Sequence, residues 1–208
     1  MNNLKTPLSI KVIYWFTSIS FWLYVVVSVF ALLLAGSLIL NLFGASNLHV
    51  GVPVSVDLIE KGELHINGIT SSVQFVEMQG KLKFDETPVV LKRYYGVSII
   101  VIISLFFFIF YKFKQFIDNV YKGIYFDISN IALLKKVSYG IAGTWLFVVF
   151  YSYFQYFFVF QKLKFNTIEI IGDVQTYPII LFVALFIWVL SHVFTKGVEL
   201  QEEAKLII

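Results

Sequence analysis

The sequence predicts an all-α integral membrane protein with four transmembrane helices and a small β-rich extracytoplasmic insertion between spans one and two. Three observations predict this class. The chain of 208 residues is 59% hydrophobic and only 14% charged, with a mean hydropathy of +0.82, which exceeds what a soluble domain of this length can bury. Four long apolar runs contain no Asp, Glu, Lys or Arg. Between the first two runs, apolar and polar residues alternate with the period of a β-strand.

Composition and motifs also exclude several classes of function. Cysteine is absent, so the chain has no disulfide framework and no thiolate metal site. The net charge of +3 is small and the basic residues lie at the edges of the apolar runs, which argues against direct binding of nucleic acid. The histidines lack the spacing of a metal site, and no Gly-rich phosphate loop or His-Glu-x-x-His motif is present. We therefore predict a protein that is not an enzyme, with no catalytic residues, no cofactor and no metal.

The first apolar run, residues 12–43, is longer than one membrane crossing requires. At about 1.5 Å per residue a helix of this length measures about 48 Å, whereas the hydrocarbon layer is about 30 Å thick. We expect this span to tilt or to project beyond the membrane.

Residues 44–93 have the pattern of strands. From Leu48 to Leu58 apolar residues alternate strictly with other types, as on a strand with one covered face. The dipeptide Asn67-Gly68 follows and favours the type I′ turn of a β-hairpin. A unit of about 50 residues buries too little surface to be stable alone, so we expect it to rest on the first span or on the lipid surface.

The second span, residues 94–111, continues as an amphipathic helix into the cytoplasm as far as residue 122. Gly123 is predicted to end this helix, because glycine is the usual residue after a helix end. Asp127 is predicted to cap the next helix, which leads into the third span at residues 139–160.

The fourth span, residues 178–194, follows a short outer loop and leads into a charged cytoplasmic tail, residues 195–208. Lys196-Gly197, near the start of the tail, is expected to end the fourth helix. The last residues of the tail can form a short amphipathic helix of their own. Residues 1–208 are thus predicted to be a single four-span membrane domain.

The distribution of lysine and arginine predicts that both termini are cytoplasmic. The segments assigned to the inside contain nine of these residues and those assigned to the outside contain seven. In the first outer loop six acidic residues accompany five basic ones, whereas the middle inner loop has five basic residues and two acidic ones. Basic residues near span ends favour the cytoplasmic side.

The chain contains two sequence echoes. Lys122-Gly123 recurs as Lys196-Gly197 at an offset of 74 residues, and the sequence 81–84 recurs as 162–165 at an offset of 81. Two helix hairpins related by an axis along the membrane normal would explain both echoes. Chance similarity in a chain of little residue variety explains them equally well, so both interpretations stay open.

The predicted cytoplasmic face is the most informative region for function. It places apolar residues beside lysines, and the tail brings acidic residues to the same side. Anchoring to anionic phospholipid and pairing between loop and tail are two ordinary uses of such a face; a sharper hypothesis is a docking surface for a cytosolic protein. The candidate residues for that surface are Lys122, Gly123, Asp127, Asn130, Lys135, Lys136, Lys196, Gly197, Glu202 and Glu203.

The aromatic residues of the third span support an alternative function. Tyr153 and Gln155 lie among many aromatic side chains there, and such a surface can line a cavity for an apolar peptide or lipid in a transport or immunity-type protein. Packing between helices or contact with lipid is the commoner use of such residues, and Gly140 and Gly143 likewise suit close approach of helices.

The residues around the two Lys-Gly pairs resemble a family of small bacterial membrane proteins catalogued as domain of unknown function 2975. Its pattern of a span, a glycine, a hydrophobic residue and a polar helix start with an asparagine resembles residues 122–130. Its C-terminal pattern resembles residues 194–208, with Ile207 in place of the usual threonine. The resemblance implies a multi-pass protein of the bacterial cytoplasmic membrane. Members are often accompanied by a small helix-turn-helix regulator, which implies a cytosolic transcriptional regulator as partner and a sensor or regulatory role.

Overall fold

In a computed structural model the chain is mostly helical, with four long apolar helices. The structure describes residues 7–42, 51–66, 69–84, 87–164, 169–171, 174 and 176–206. The helices are α1 (Leu8–Leu40), α2 (Val89–Tyr121), α3 (Ile128–Phe158) and α4 (Pro178–Leu206). Within the described residues these four are long and apolar enough to cross a membrane, so the protein is a multi-pass membrane protein.

Helices that are neighbours in sequence pack against each other in antiparallel pairs. Between α1 and α2, the Tyr24 hydroxyl donates a hydrogen bond of 2.7 Å to the carbonyl oxygen of Ile103. Towards the start of α1, the rings of Tyr14 and Tyr121 stack with their centroids 4.2 Å apart. The beginning of α1 therefore lies beside the end of α2.

The same arrangement continues through α3 and α4. Asn119 near the end of α2 contacts Asn130 near the start of α3, and the Ser138 hydroxyl of α3 donates a 2.8 Å hydrogen bond to the carbonyl oxygen of Ala184 in α4. Consequently the start of α1, the α2–α3 connection and the end of α4 lie at one end of the molecule, which we call the turn end. The α1–α2 and α3–α4 connections lie at the opposite end.

Glycine allows the closest approaches between helices. A Cβ atom on Gly96 would lie 2.7 Å from Cγ1 of Ile39 and 2.9 Å from the carbonyl oxygen of Ala35, so α2 approaches the backbone of α1 at this position. A Cβ atom on Gly140 would lie 2.7 Å from Cγ1 of Ile109. Small residues let membrane helices pack backbone to backbone, and the prediction that Gly140 serves this purpose is confirmed.

Strands lie at the end opposite the turn end. β1 (Gly51–Ile66) and β2 (Ile69–Lys83) form an antiparallel pair between α1 and α2, and β3 (Glu169–Ile171), between α3 and α4, pairs with the other edge of β1. The strand order is β2-β1-β3. The two connections at this end of the helices therefore share one backbone sheet.

The register of the first two strands brings Ile66 opposite Ile69, with an irregularity between Asp57 and Glu60. The predicted turn residues Asn67-Gly68 lie outside the described residues. A pairing of Ile66 with Ile69 leaves two residues for the connection, as in the shortest hairpins.

α2 begins at Val89, so residues 89–93, which the sequence assigned to the β-rich loop, are helical. Pro88 precedes this helix, where its missing N–H costs no helical hydrogen bond. Lys92 is only 1% exposed, and its Nζ donates a 3.1 Å hydrogen bond to Oδ1 of Asn41, the residue that ends α1. A cation at the end of a helix complements the helix dipole, so Lys92 joins the end of α1 to the start of α2.

The two Lys-Gly pairs have different structures. Gly123 has φ +81° and lies directly after Lys122, the residue that caps the end of α2, as predicted. Gly197 lies inside α4, which continues to Leu206, so the prediction that Gly197 ends a helix is wrong. An ion pair of 2.6 Å between Lys196 and Glu199, one turn apart, spans this position. The Lys-Gly echo therefore does not mark equivalent positions of a repeat.

Candidate functional site at the α2–α3 turn

The α2–α3 turn has a defined backbone. The N–H of Gly123 donates to the carbonyl oxygen of Val120 at 3.0 Å, and the N–H of Ile124 donates to that of Asn119 at 3.0 Å. These bonds satisfy carbonyl groups that the end of a helix otherwise leaves unpaired, and they require the left-handed conformation that glycine adopts without strain. The end of α2 is thus fixed by local chemistry.

Asp127 caps α3, as predicted. Its Oδ1 accepts a hydrogen bond of 2.8 Å from the backbone N–H of Ser129. Hydrogen bonding by Ser129, through its side chain and its backbone N–H, lowers the pKa of Asp127 below its ordinary value. The carboxylate is therefore charged at neutral pH, and it lies at the helix end where a negative charge is favourable.

Asn130 is the buried centre of the turn. It is 0% exposed, its Oδ1 accepts from Nδ2 of Asn119 at 2.8 Å, and its Nδ2 donates to the carbonyl oxygens of Ile124 at 2.8 Å and Tyr125 at 3.0 Å. The sequence placed Asn130 on the candidate docking surface. Its burial contradicts that placement, because all three bonds use the side chain to hold the turn together.

A groove of about 480 Å³ runs between α2 and α3 at the turn end. It is lined by Lys112, Gln115, Asp118, Asn119, Lys122, Ser129, Ala132, Leu133 and Lys136. Polar side chains with N–H or O–H donors make up most of this lining, so the groove suits a ligand that accepts hydrogen bonds.

The groove is positively charged. Asp118, its one carboxylate, accepts hydrogen bonds from the ammonium group of Lys114 at 2.8 and 3.1 Å, which offsets its charge. Among the described residues, no ion pair involves Lys112, Lys122 or Lys136. Three ammonium groups therefore face the groove without a carboxylate of their own, an arrangement that attracts anions.

The loop beyond the groove exposes apolar side chains. Ile128 is 70% exposed and Phe126 is 52% exposed, and two neighbours in the turn are exposed to a lesser extent. We call these four residues the tip: Ile124, Tyr125, Phe126 and Ile128. Lys122 lies next to the tip, so the turn end combines an apolar surface with positive charge.

α4 supports the tip from one side. The ring of Phe126 lies over Gly197, where an added Cβ would be 2.6 Å from two of its ring carbons, and its centroid is 5.7 Å from that of Phe194. Phe116 of α2 contacts the same Phe194 ring with centroids 6.0 Å apart. The second Lys-Gly pair therefore serves as a contact for the turn, with no role in ending a helix.

Replacing Gly197 by alanine is expected to displace the Phe126 ring. We expect backbone hydrogen exchange over residues 123–127 to rise about tenfold, with little change in melting temperature, because a ring can rotate away while the helices keep their packing. Gly143→Ala is the matched control, since its added Cβ would lie 3.9 Å from the nearest side chain. Equal exchange in both variants would contradict the contact between Phe126 and α4.

The other residues that the sequence predicted for the docking surface lie on α3, in the groove lining and near the end of α4. Lys135 is half-buried on α3 and is not part of the groove lining, whereas its neighbour Lys136 is. Glu202 and Glu203 are exposed near the end of α4, beyond Lys196. The structure thus brings Lys122 and Lys136 together at one groove and leaves the acidic pair on a separate helix.

Of the polar residues in the α2 wall of the groove, only Lys122 was predicted from the sequence. Lys112, Gln115, Asn119 and Lys122 follow one another at steps of three, four and three residues, which is the spacing of one face of a helix. On α3, Ser129 and Lys136 are seven residues apart and share a face in the same way. A search for polar residues at helical spacing beyond the second span would have found both walls.

The residues proposed for an apolar ligand are engaged within α3. Tyr153 stacks on Phe157 with an interplanar angle of 15°, and Nε2 of Gln155 donates a 2.8 Å hydrogen bond to the Tyr151 hydroxyl. In the part of the chain that the structure describes, no group of three or more His, Cys, Asp or Glu is placed to hold a metal ion.

The chain is similar to a known protein family. The model of a family described as a protein of unknown function, DUF2975, matches residues 72–208. The chain belongs to the DUF2975 family. The match includes α2, α3 and α4 with the whole groove and the tip, whereas α1 and β1 lie outside it. Searches of curated proteins and of solved structures find no significant match.

Proposed function

We propose that this DUF2975 protein is a non-enzymatic component of the bacterial cytoplasmic membrane that docks a cytosolic protein at its turn end. The partner implied by the family resemblance is a small helix-turn-helix regulator. In this role the membrane protein senses a condition or sequesters the regulator. The exposed apolar tip beside Lys122 is the observation that carries the proposal.

The tip lies outside the hydrocarbon layer in this arrangement. The apolar run of α2 ends at Tyr111, and the helix continues for ten residues to Tyr121, which corresponds to about 15 Å. Lys112, Lys114 and Asp118 lie along this extension. Apolar side chains exposed to water in a contiguous group are typical of a protein interaction site.

Charge distribution supports a cytoplasmic position for the turn end. Residues 112–136 contain five lysines and two aspartates, a net charge of +3, whereas the segment 44–93 contains five basic and six acidic residues. Because basic residues near span ends favour the cytoplasmic side, the turn end and both termini lie inside. The β2-β1-β3 sheet then lies outside the membrane, where it either supports the helices or senses a condition.

The chemistry of the turn end identifies the kind of segment that binds there. Lysine ammonium groups favour carboxylates, and the tip favours aliphatic or aromatic side chains. The partner segment that binds the turn end is therefore expected to carry both acidic and apolar residues. The net positive charge of residues 112–136 disfavours a basic surface of the partner, such as one that contacts DNA.

Ile128→Glu is expected to weaken partner binding about 30-fold, which corresponds to about 2 kcal/mol, because it places a carboxylate at the most exposed apolar residue of the tip. The measurement is affinity capture from the cytosolic fraction, identification of the captured protein, and titration of that purified protein against each variant. Lys122→Glu should weaken binding and flatten its dependence on salt.

Lys135→Glu is the matched control for charge reversal, since Lys135 carries the same charge as Lys122 but lies outside the groove lining. Its affinity should stay within about threefold of the wild type. Binding that is unchanged in Ile128→Glu, or a captured protein without an acidic and apolar segment, would reject the proposal.

A further inference from the structure

We propose that the end of the groove nearest the membrane binds the phosphate headgroup of an anionic phospholipid. This site involves Lys112 and Lys136 and excludes the tip, so it stands independently of the partner proposed above. The depth of these two lysines, the donors around them and the charge of the groove support this site.

The packing of α2 on α3 places the two lysines side by side. Asn119 contacts Asn130, and Ile109 lies against Gly140. In an antiparallel pair these two contacts fix the register, and they bring residue 112 level with residue 137. Lys112 therefore lies next to Lys136 across the groove, as the lining of the groove also requires.

Both lysines lie at the membrane edge. Lys112 is the first charged residue after the apolar run 94–111, and Lys136 is the last charged residue before the run 139–160. Phospholipid phosphates lie just outside the hydrocarbon layer. The ammonium groups and the phosphates of the same leaflet are therefore at matching depth.

Neighbouring groups complete a site for an anion. Oε1 of Gln115 accepts a 3.1 Å hydrogen bond from Nζ of Lys112, so the side-chain N–H groups of Gln115 remain suited to a phosphate oxygen. Ala132 lines the same groove with a small side chain and leaves space between the helices. The charge of Asp118 is offset by Lys114 and does not repel an anion strongly.

A lipid phosphate is the anion that this position favours. Basic pockets between helices at the cytoplasmic side of membranes bind anionic headgroups, and each lysine near the surface contributes substantially. A carboxylate of a soluble protein would have to enter the headgroup layer to reach Lys112. Lipid headgroups occupy that layer already.

The test measures retention of phosphatidylglycerol by the purified full-length protein, using native mass spectrometry and titration in phosphatidylcholine nanodiscs. Wild-type protein should retain phosphatidylglycerol in preference to phosphatidylcholine. Lys112→Gln combined with Lys136→Gln should lower that affinity about 25-fold, at about fivefold for each lysine. Lys135→Gln, with the same change of charge on the adjacent residue, should stay within twofold.

A second variant tests the site even if the protein with the double substitution misfolds. Ala132→Glu keeps all lysines and adds a carboxylate to the groove, and it should abolish the preference for phosphatidylglycerol. Ile128→Glu should leave lipid retention unchanged, so failure of this site and failure of the tip are distinguishable.

Three results would overturn the proposal. The first is equal retention of the two lipids by wild-type protein, and the second is a loss in Lys135→Gln as large as in the double variant. The third is displacement of the lipid by millimolar inorganic phosphate or by an acidic peptide, which would identify a soluble anion as the ligand.

Discussion

Asn130→Ala will lower the free energy of unfolding by about 3 kcal/mol, because three hydrogen bonds to a side chain that is 0% exposed are lost together. Two backbone carbonyl groups of the turn lose their donor, and Nδ2 of Asn119 loses its acceptor. Reversible unfolding in mixed micelles, followed by circular dichroism, measures the change. The same variant should weaken partner binding at the tip, because the turn that presents Ile128 is no longer held.

Asn119→Ala provides a graded comparison. It removes only the bond to Asn130 and leaves the two bonds from Asn130 to the turn in place, so we expect a loss of about 1 kcal/mol. An Asn130→Ala variant no less stable than Asn119→Ala would show that the buried amide does not hold the turn.

Gly96→Val will lower the free energy of unfolding by about 3 kcal/mol, since its added atoms meet the backbone of α1. The Cβ atom would lie 2.9 Å from the carbonyl oxygen of Ala35, a residue with 0% exposure. A backbone atom cannot rotate away as a side chain does, so the two helices must separate. Unfolding in mixed micelles and the distance between spin labels on α1 and α2 measure both effects.

Gly36→Ala is the matched control, because Gly36 adjoins Ala35 and nothing lies within 4 Å of the added Cβ. Alanine favours a helix over glycine by about 1 kcal/mol, so this variant should be as stable as the wild type or more stable. A loss in Gly36→Ala equal to that in Gly96→Val would contradict the close contact.

Features with a local cause were predictable from the sequence. Runs without charged residues predicted the four spans, since a bilayer excludes charge. Gly123 and Asp127 were predicted in their roles because one supplies a left-handed conformation and the other a side-chain oxygen for a free N–H. Each of these requirements involves only two or three neighbouring residues.

The prediction that Gly197 ends a helix is wrong because of a tertiary contact. The same dipeptide that ends α2 lies within α4, because the cost of one glycine in a helix is about 1 kcal/mol and a packed neighbour offsets it. That neighbour is Phe126, which lies over Gly197 and is 71 residues away in sequence. No local pattern around Lys196-Gly197 contains this contact.

The burial of Asn130 and the lining of the groove also depend on tertiary contacts, which the sequence does not show. A polar residue near a helix start is ordinarily exposed, and the burial of Asn130 follows from the inward carbonyl groups of Ile124 and Tyr125. Adjacent lysines are equivalent in the sequence, yet Lys136 lines the groove and Lys135 does not. Only the register of α2 against α3 separates them.

The pairing of β3 with β1 likewise joins segments more than 100 residues apart.

Site-specific photo-crosslinking in intact cells tests whether a cytosolic protein docks at the tip. A photoreactive residue is placed at Ile128 on the tip and, as the control, at Phe150 in the apolar part of α3, which is 66% exposed. We expect position 128 to crosslink to one soluble protein through an acidic and apolar segment, and position 150 to crosslink to lipid. Crosslinks only to lipid at position 128, or the same products at both positions, would contradict it.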